Sequence, residues 1–175
     1  MSYEIIENFL EEEDLNNLQN LILGSRDSTD FTWNIITEVA NRVNNDDFDK
    51  ETEEQLWNWY GVHRIYDIVP LSPHFDYIAH LFFNKLDFNA LIRVKTNFYP
   101  YTTKVEEHAQ HYDFSFSHRA GLFSLNTCDG FTRMSNGDKV QSVANRMIIF
   151  EGSEYHSSST TSNEKGRYNI NFNWL

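Results

Sequence analysis

Two rhythms divide the chain. Up to about residue 90, apolar positions recur at helical spacing or in short runs; from Leu91 onward they alternate with polar ones. Tyr3 to Phe9 reads as a short strand, and Glu11 opens a helix with Leu15, Leu18 and Ile22 on one stripe and Gly24 as its stop. Thr32 to Ile35 reads as extended, Asn41 to Glu53 as an acidic unpatterned loop, and Leu56 to Ile68 as one or two strands. Ser72-Pro73 predicts a helix start, with serine as cap and proline at the first helical position. That helix runs to about Leu86 and buries Phe75, Ile78, Ala79 and Phe82. The alternation then begins with Ile92, Val94, Thr96 and Phe98 on one face and Arg93, Lys95, Asn97 and Tyr99 on the other. Further strands are predicted over Val105 to Asp113, Ala120 to Leu125, Phe131 to Met134, Lys139 to Ser142, Met147 to Phe150, Tyr155 to Ser157 and Arg167 to Trp174. Helices followed by many short strands predict a mostly β barrel or jelly roll packed against N-terminal helices.

The last strand is sharply two-sided. Arg167, Asn169, Asn171 and Asn173 share one face, and Tyr168, Ile170, Phe172 and Trp174 share the other. A polar inner face suits a barrel that holds a charged ligand, with the aromatic face under the helices. A polar face turned to water gives the same periodicity, so the pattern leaves both open.

Composition narrows the field. The 175 residues make one domain's length, 1–175, with helical support over about 1–90 and a β core over about 91–175. The chain is 40% hydrophobic and 15% aromatic, which suits a packed strand-rich protein. A formal charge of -12 argues against a nonspecific grip on nucleic acid. The acidic runs at Glu11-Glu12-Glu13-Asp14 and from Asp46 to Glu54 read as solvated surface. Cys128 is the single cysteine, so no internal disulfide forms, and its setting reads as a turn. No apolar run approaches the roughly 18 residues of a membrane span, and no secretory signal is evident, so a cytoplasmic location (of a microbe or of a phage-infected cell) is expected.

One constellation carries chemistry. His111 and Asp113 stand two apart, on one face if extended; His156 follows 43 residues after Asp113, and Arg167 comes 11 residues after His156. Two imidazoles and a carboxylate occupy three corners of a metal and leave three open, the facial set that suits ferrous iron and oxygen chemistry. An arginine fork can take the far carboxylate of an organic acid chelated to that metal. A rival set of His108, His111 and His156 would suit zinc or a cupin-like site, but it leaves Asp113 and Arg167 without a role. His63, His74, His80 and His118 read as packing or surface, and Arg146 as either a substrate contact or a turn anchor. Trp57, Trp59 and Tyr60 fit an entrance or core packing equally.

Nearly the whole chain resembles the iron(II)- and 2-oxoglutarate-dependent dioxygenases, in particular small microbial and phage-encoded members of the prolyl 4-hydroxylase-like group. The likeness rests on Tyr3-Glu4-Ile5-Ile6-Glu7-Asn8-Phe9-Leu10 before an acidic helix start and on Asn97-Phe98-Tyr99-Pro100 ahead of His111-Tyr112-Asp113. It extends to Asp129-Gly130-Phe131-Thr132, Asn145-Arg146-Met147-Ile148-Ile149-Phe150, His156-Ser157 and Arg167. The resemblance implies a double-stranded β-helix, iron held by His111, Asp113 and His156, and 2-oxoglutarate chelated to iron and bonded by Arg167. Tyr99 matches a tyrosine lining the cosubstrate pocket of some relatives. It further implies O2 as oxidant, ascorbate as a reductant, succinate as coproduct, and hydroxylation of a small-molecule or peptidyl substrate, a prolyl side chain among the options. Several prolyl hydroxylases carry a second tyrosine near the cosubstrate where this chain has Ser124. An AlkB-type nucleic-acid dealkylase would carry a further arginine six residues after Arg167, where this chain has Asn173. A non-catalytic barrel that binds a ligand or protein is the alternative from another class.

Overall fold

The computed structural model describes residues 3–24, 31–37, 39 and 56–175. Their elements, in chain order, are β1 (Glu4–Ile6), α1 (Glu12–Leu23), β2 (Asn34–Ile36), β3 (Tyr60–Asp67), β4 (Val69–Pro70), α2 (Phe75–Phe82), β5 (Leu91–Pro100), β6 (Arg119–Ser124), β7 (Phe131–Arg133), β8 (Lys139–Gln141), β9 (Arg146–Glu151) and β10 (Gly166–Trp174). The predicted acidic loop over 41–53 lies outside the described residues. No described helix is long and apolar enough to cross a membrane.

An eight-stranded antiparallel sheet runs in the order β1-β9-β6-β10-β5-β3-β2, with β4 paired to β3. One side of it is the main hydrophobic core. Ile170, Phe172 and Trp174 of β10, Val94 of β5, Phe123 of β6 and Met147 of β9 pack there with Leu18 and Ile22 of α1 and Ile78 and Phe82 of α2. The α1 stripe is the predicted one, and Gly24 ends the helix at φ 83°, a backbone conformation glycine adopts without strain. Glu12, Glu13 and Asp14 fill the first turn of α1, where acidic side chains favour the helix dipole.

The other side of the sheet faces a second, thinner layer. Among the described residues, only β7 and β8 pair there as regular strands. The predicted strands over 105–113 and 155–157 are not formed as such. Instead, these segments are tied by single bridges, Glu107 to Ser159, His111 to His156 and Arg133 to Ser157. Side chains do part of the joining that a ladder would do. Arg133 grips Glu107 with Nε and Nη2 at 2.6 and 2.7 Å, and the Ser157 hydroxyl donates to the same carboxylate at 2.7 Å. Ala120 and Leu122 of β6, Ile148 and Phe150 of β9, Met134, and Val140 of β8 form a small core between the layers. The architecture is therefore mostly β and jelly-roll-like.

Two local expectations shift. α2 begins at Phe75, because Ser72, Pro73 and His74 form a preceding turn in which the Ser72 hydroxyl accepts from the His74 amide at 3.2 Å. The helix ends at Phe82, and a last turn carries the Leu86 amide to the Phe82 carbonyl at 3.1 Å. Arg146 is a structural anchor: its Nε and Nη2 donate to Glu7 at 2.9 and 2.6 Å, and its Nη1 donates to the Gln141 carbonyl at 3.0 Å.

Candidate metal and cosubstrate site

β10 decides what lies between the layers. Arg167, Asn169, Asn171 and Asn173 are all buried, at 1%, 1%, 5% and 0% exposure, so this polar face turns into the molecule and away from water. Its neighbour β5 runs antiparallel, and directly opposed residues share a face. The register sets Tyr99 against Arg167, Asn97 against Asn169, Lys95 against Asn171 and Arg93 against Asn173. Two strands thus give one continuous polar wall. On the other flank, β6 sets Ser124 against Asn169 and Leu122 against Asn171, so the wall turns apolar there.

His111, Asp113 and His156 meet at one end of this wall, with one ligand-capable atom from each within 4.8 Å of the others. No other such trio of histidine, cysteine or acidic residues occurs among the described residues, and His108 is not part of it. The His111–His156 bridge does the placing: each amide donates to the other's carbonyl at 2.8 Å. The imidazoles then lie 4.6 Å apart, centroid to centroid. His156 donates Nδ1–H to the Glu154 carbonyl at 2.9 Å, which leaves Nε2 as its lone-pair nitrogen. Burial lowers the pKa of both histidines, that of His111 to about 4, so both are neutral near pH 7 and can ligate a cation.

Asp113 is held by three side chains of the wall. Arg93 Nη2 donates to Oδ1 at 2.6 Å, while Asn173 and Asn171 donate to Oδ2 at 2.8 and 3.3 Å. Arg93 Nε also donates to the Asn173 carbonyl at 3.1 Å, which closes a ring around the carboxylate. The second hydrogen of the Asn173 amide points to His118 Nε2 at 3.2 Å, and His118 Nδ1 donates to the Phe116 carbonyl at 2.8 Å. Burial alone would raise the Asp113 pKa, but the charges of Lys95 and Arg93 outweigh it and hold the carboxyl well below its usual range.

Arg167 stands at the other end. Its Nη1 donates to the Phe131 and Ser159 carbonyls at 2.7 and 3.4 Å, and its Nη2 to the Thr132 hydroxyl at 2.7 Å. Nε is buried without a partner. A guanidinium has five N–H donors. Nε–H and one Nη2–H therefore remain, side by side, the edge that takes a carboxylate through two parallel bonds. Gly130 makes room for this side chain: a Cβ there would sit 2.6 Å from the Thr160 carbonyl and 2.8 Å from Arg167 Cδ. The Tyr99 ring lies 5.7 Å from the guanidinium, and burial pushes its hydroxyl up to about 12, so it stays a donor. Between the two ends, Asn97 Oδ1, Asn169 Nδ2, Ser124 Oγ and Asn171 Oδ1 are buried and unpartnered. Orphaned polar atoms on one wall suit a polar guest.

No protein-family model matches the sequence, and a search of curated proteins found no match. Solved structures do match. One is a prolyl hydroxylase in complex with a hypoxia inducible factor oxygen degradation domain peptide fragment, from Trichoplax adhaerens, with TM-score 0.61 at 14% identity over 98% of this chain and 83% of that one. Another is a 2OG-Fe(II) oxygenase family oxidoreductase from Burkholderia pseudomallei, with TM-score 0.62 at 13% identity over 98% and 84%. A viral collagen prolyl hydroxylase from Paramecium Bursaria Chlorella virus-1, in its 2OG complex, matches with TM-score 0.51 at 15% identity over 100% and 97%. The chain has the 2OG-Fe(II) oxygenase fold.

Within that oxygenase fold, the polar faces legible in the sequence acquire specific partners. Arg93, Lys95, Asn171 and Asn173 reach the site because β5 and β10 alternate in register, and the alternation was the available signal. His118 gave none, since nothing in its spacing marks a partner of Asn173. His108 lies beside the wall, with Nδ1 3.0 Å from the Ser158 hydroxyl and Trp57 and Tyr99 at 5.3 and 5.2 Å. Tyr60 stacks on Tyr99 at 5.9 Å, while Trp59 packs on Phe98, which points away from the wall.

Proposed function

We propose that this chain is an Fe(II)- and 2-oxoglutarate-dependent dioxygenase with a double-stranded β-helix core, and that it hydroxylates an amino-acid side chain or a small molecule. The observation that carries the reading is a single buried polar wall with the His111, Asp113 and His156 trio at one end and a guanidinium with an unpartnered Nε–H at the other. Iron would be held by the trio. 2-Oxoglutarate would meet the metal at its keto-acid end and Arg167 at its distal carboxylate. Tyr99, Asn97, Asn169 and Ser124 would contact it from the middle of the wall. The donor set fits the metal, since two neutral imidazoles and one ionised carboxylate leave coordination positions for a bidentate acid and for O2. The free Nε–H edge of Arg167 and the orphaned donors between the two ends, Asn169 Nδ2 and the Ser124 hydroxyl, fit the diacid.

When bound, the metal and cosubstrate supply the oxidising power, with 2-oxoglutarate decarboxylated to succinate. The protein supplies position. Arg93, Asn171 and Asn173 fix the plane of Asp113, and the Glu154 carbonyl fixes the tautomer of His156. The neutral hydroxyl of Tyr99 can donate to a carboxylate without repelling it. A peptidyl substrate, prolyl among the options, is supported by the peptide complex of the Trichoplax neighbour.

Anaerobic Fe(II) binding followed by succinate release on admitting oxygen tests the reading. The expected result is stoichiometric metal binding and succinate production that needs both iron and 2-oxoglutarate. His111→Ala and His156→Ala should each abolish both; binding of iron by either variant as by the natural chain would show the ligand set to be wrong.

A further inference from the structure

The inner face of β5 carries Arg93, Lys95, Asn97 and Tyr99, and three of these have partners. Arg93 holds Asp113, Asn97 donates to Asn169 at 2.8 Å, and Tyr99 lies against Arg167. Lys95 has none. Among the described residues, no carboxylate comes within ion-pair distance of its ammonium and no acceptor takes a hydrogen bond from it.

Its position is nonetheless central. Lys95 sits opposite Asn171, whose amide reaches Asp113. Its charge acts on His111, Asp113 and His156 alike. Arg93 and Arg64 repel it, and Asp113, which already pairs with Arg93, attracts it from beyond ion-pair distance. A half-buried lysine beside two other cations, with no partner of its own, is a place where an anionic guest gains.

Loading the site as proposed above does not supply that anion. Arg93 and Asp113 neutralise each other, and Arg167 takes the distal carboxylate of 2-oxoglutarate. The proximal carboxylate offsets half the charge of a divalent metal. One positive charge remains at the metal and another on Lys95. Next to Lys95, the Asn171 carbonyl oxygen is buried and unpartnered, an acceptor waiting for a donor.

We infer that Lys95 and Asn171 receive the substrate to be oxidised, and that this substrate is a small acid whose carboxylate pairs with Lys95 while an adjacent N–H donates to Asn171, as in a free α-amino acid. This deepens the dioxygenase reading and rests on it. Lys95 is here a specificity-determining residue.

The test uses the full chain with Mn(II) and 2-oxoglutarate under nitrogen, so that no turnover occurs. Calorimetry follows binding of the twenty L-amino acids and of their carboxamides. At least one acid should bind, and its amide should bind at least tenfold more weakly. Lys95→Met should weaken the acid at least tenfold without weakening Mn(II) or 2-oxoglutarate binding, and Lys95→Arg should keep the preference for acid over amide. Amides that bind as well as acids, a panel in which no acid binds, or an unaltered Lys95→Met variant would each overturn the inference. So would loss of 2-oxoglutarate affinity in Lys95→Met, which would make Lys95 a cosubstrate contact. The acid and amide comparison needs no variant and stands if Lys95→Met fails to fold. Failure of the natural chain to bind Mn(II) or 2-oxoglutarate is a separate result that defeats the dioxygenase reading itself.

Discussion

Asn173 donates to Oδ2 of Asp113 at 2.8 Å, and in doing so it ties the last residues of the sheet to the one carboxylate of the proposed metal site. Its carbonyl is occupied by Arg93 and its second amide hydrogen by His118, so the amide cannot turn without breaking three contacts. Partners of this outer kind usually set metal affinity by roughly 10–100-fold. Asn173→Ala should therefore weaken Mn(II) binding by about that factor while retaining the fold. Calorimetric titration checks it, and affinity equal to the natural chain's would mean that Asp113 needs no such brace.

Arg167 gives the complementary prediction. Arg167→Gln removes the vacant edge, and a charge-assisted pair contributes about 1.5–3 kcal/mol, so the 2-oxoglutarate dissociation constant should rise roughly 10–150-fold with Mn(II) binding spared. Arg167→Lys should restore only part of this, because a lysine cannot present two parallel donors. An unchanged dissociation constant in Arg167→Gln would remove the residue from the cosubstrate site.

Gly130 is the third test. Alanine there must push against the Thr160 carbonyl, which is backbone, and against Arg167 Cδ. Overpacking of this kind costs about 1–3 kcal/mol. Gly130→Ala should lower the stability measured by urea unfolding by that order and weaken 2-oxoglutarate binding as Arg167 shifts. A variant as stable as the natural chain would mean the turn relaxes freely.

The buried imidazoles predict how the metal-free chain responds to acid. Burial holds His108 down to about 3 and His111 to about 4, and it lowers His63 and His156 as well, against an unfolded value near 6.5. Below pH 6.5 the unfolded chain takes up protons that the folded chain refuses, so stability is whole above that pH and falls as pH drops towards 4. Each fully shifted group contributes a slope of up to about 1.4 kcal/mol per pH unit. Asp113 and Glu107, whose values are also lowered on folding, act only below their unfolded values of 3.8 and 4.5, so the window between pH 6.5 and 4.5 belongs to the histidines. Urea unfolding at pH 7.5, 6 and 5 should show this fall, and His108→Leu should flatten it; a flat profile in the natural chain would contradict the buried neutral state.

Much of this site could be read from periodicity and spacing. The strand pattern of β10 separated an Arg-Asn face from an aromatic face, and only the folded chain decided which of them meets water, because a period of two marks sides without saying what covers them. His111, Asp113 and His156 could be named from spacing, yet the expected strands around them are bridged segments. Pairing there is shared with side chains such as Arg133 and Glu107, which leave no regular pattern. From sequence, Asn173 is legible as a member of the polar face of β10 and as a missing arginine. Its bracing of Asp113 depends on strand register, which a single sequence does not display. His118 was invisible for the same reason, since it meets Asn173 across 55 positions of chain.

β10 has a consequence for how such a protein can change. Its alternate residues serve the helix-side core and the buried polar wall, so a slip of one position would put Trp174 and Phe172 among the charges and strand Arg167 in oil. Packing thereby acts as a proofreader of position: a register that keeps the aromatic face under the helices also keeps Arg167, Asn169, Asn171 and Asn173 in the wall.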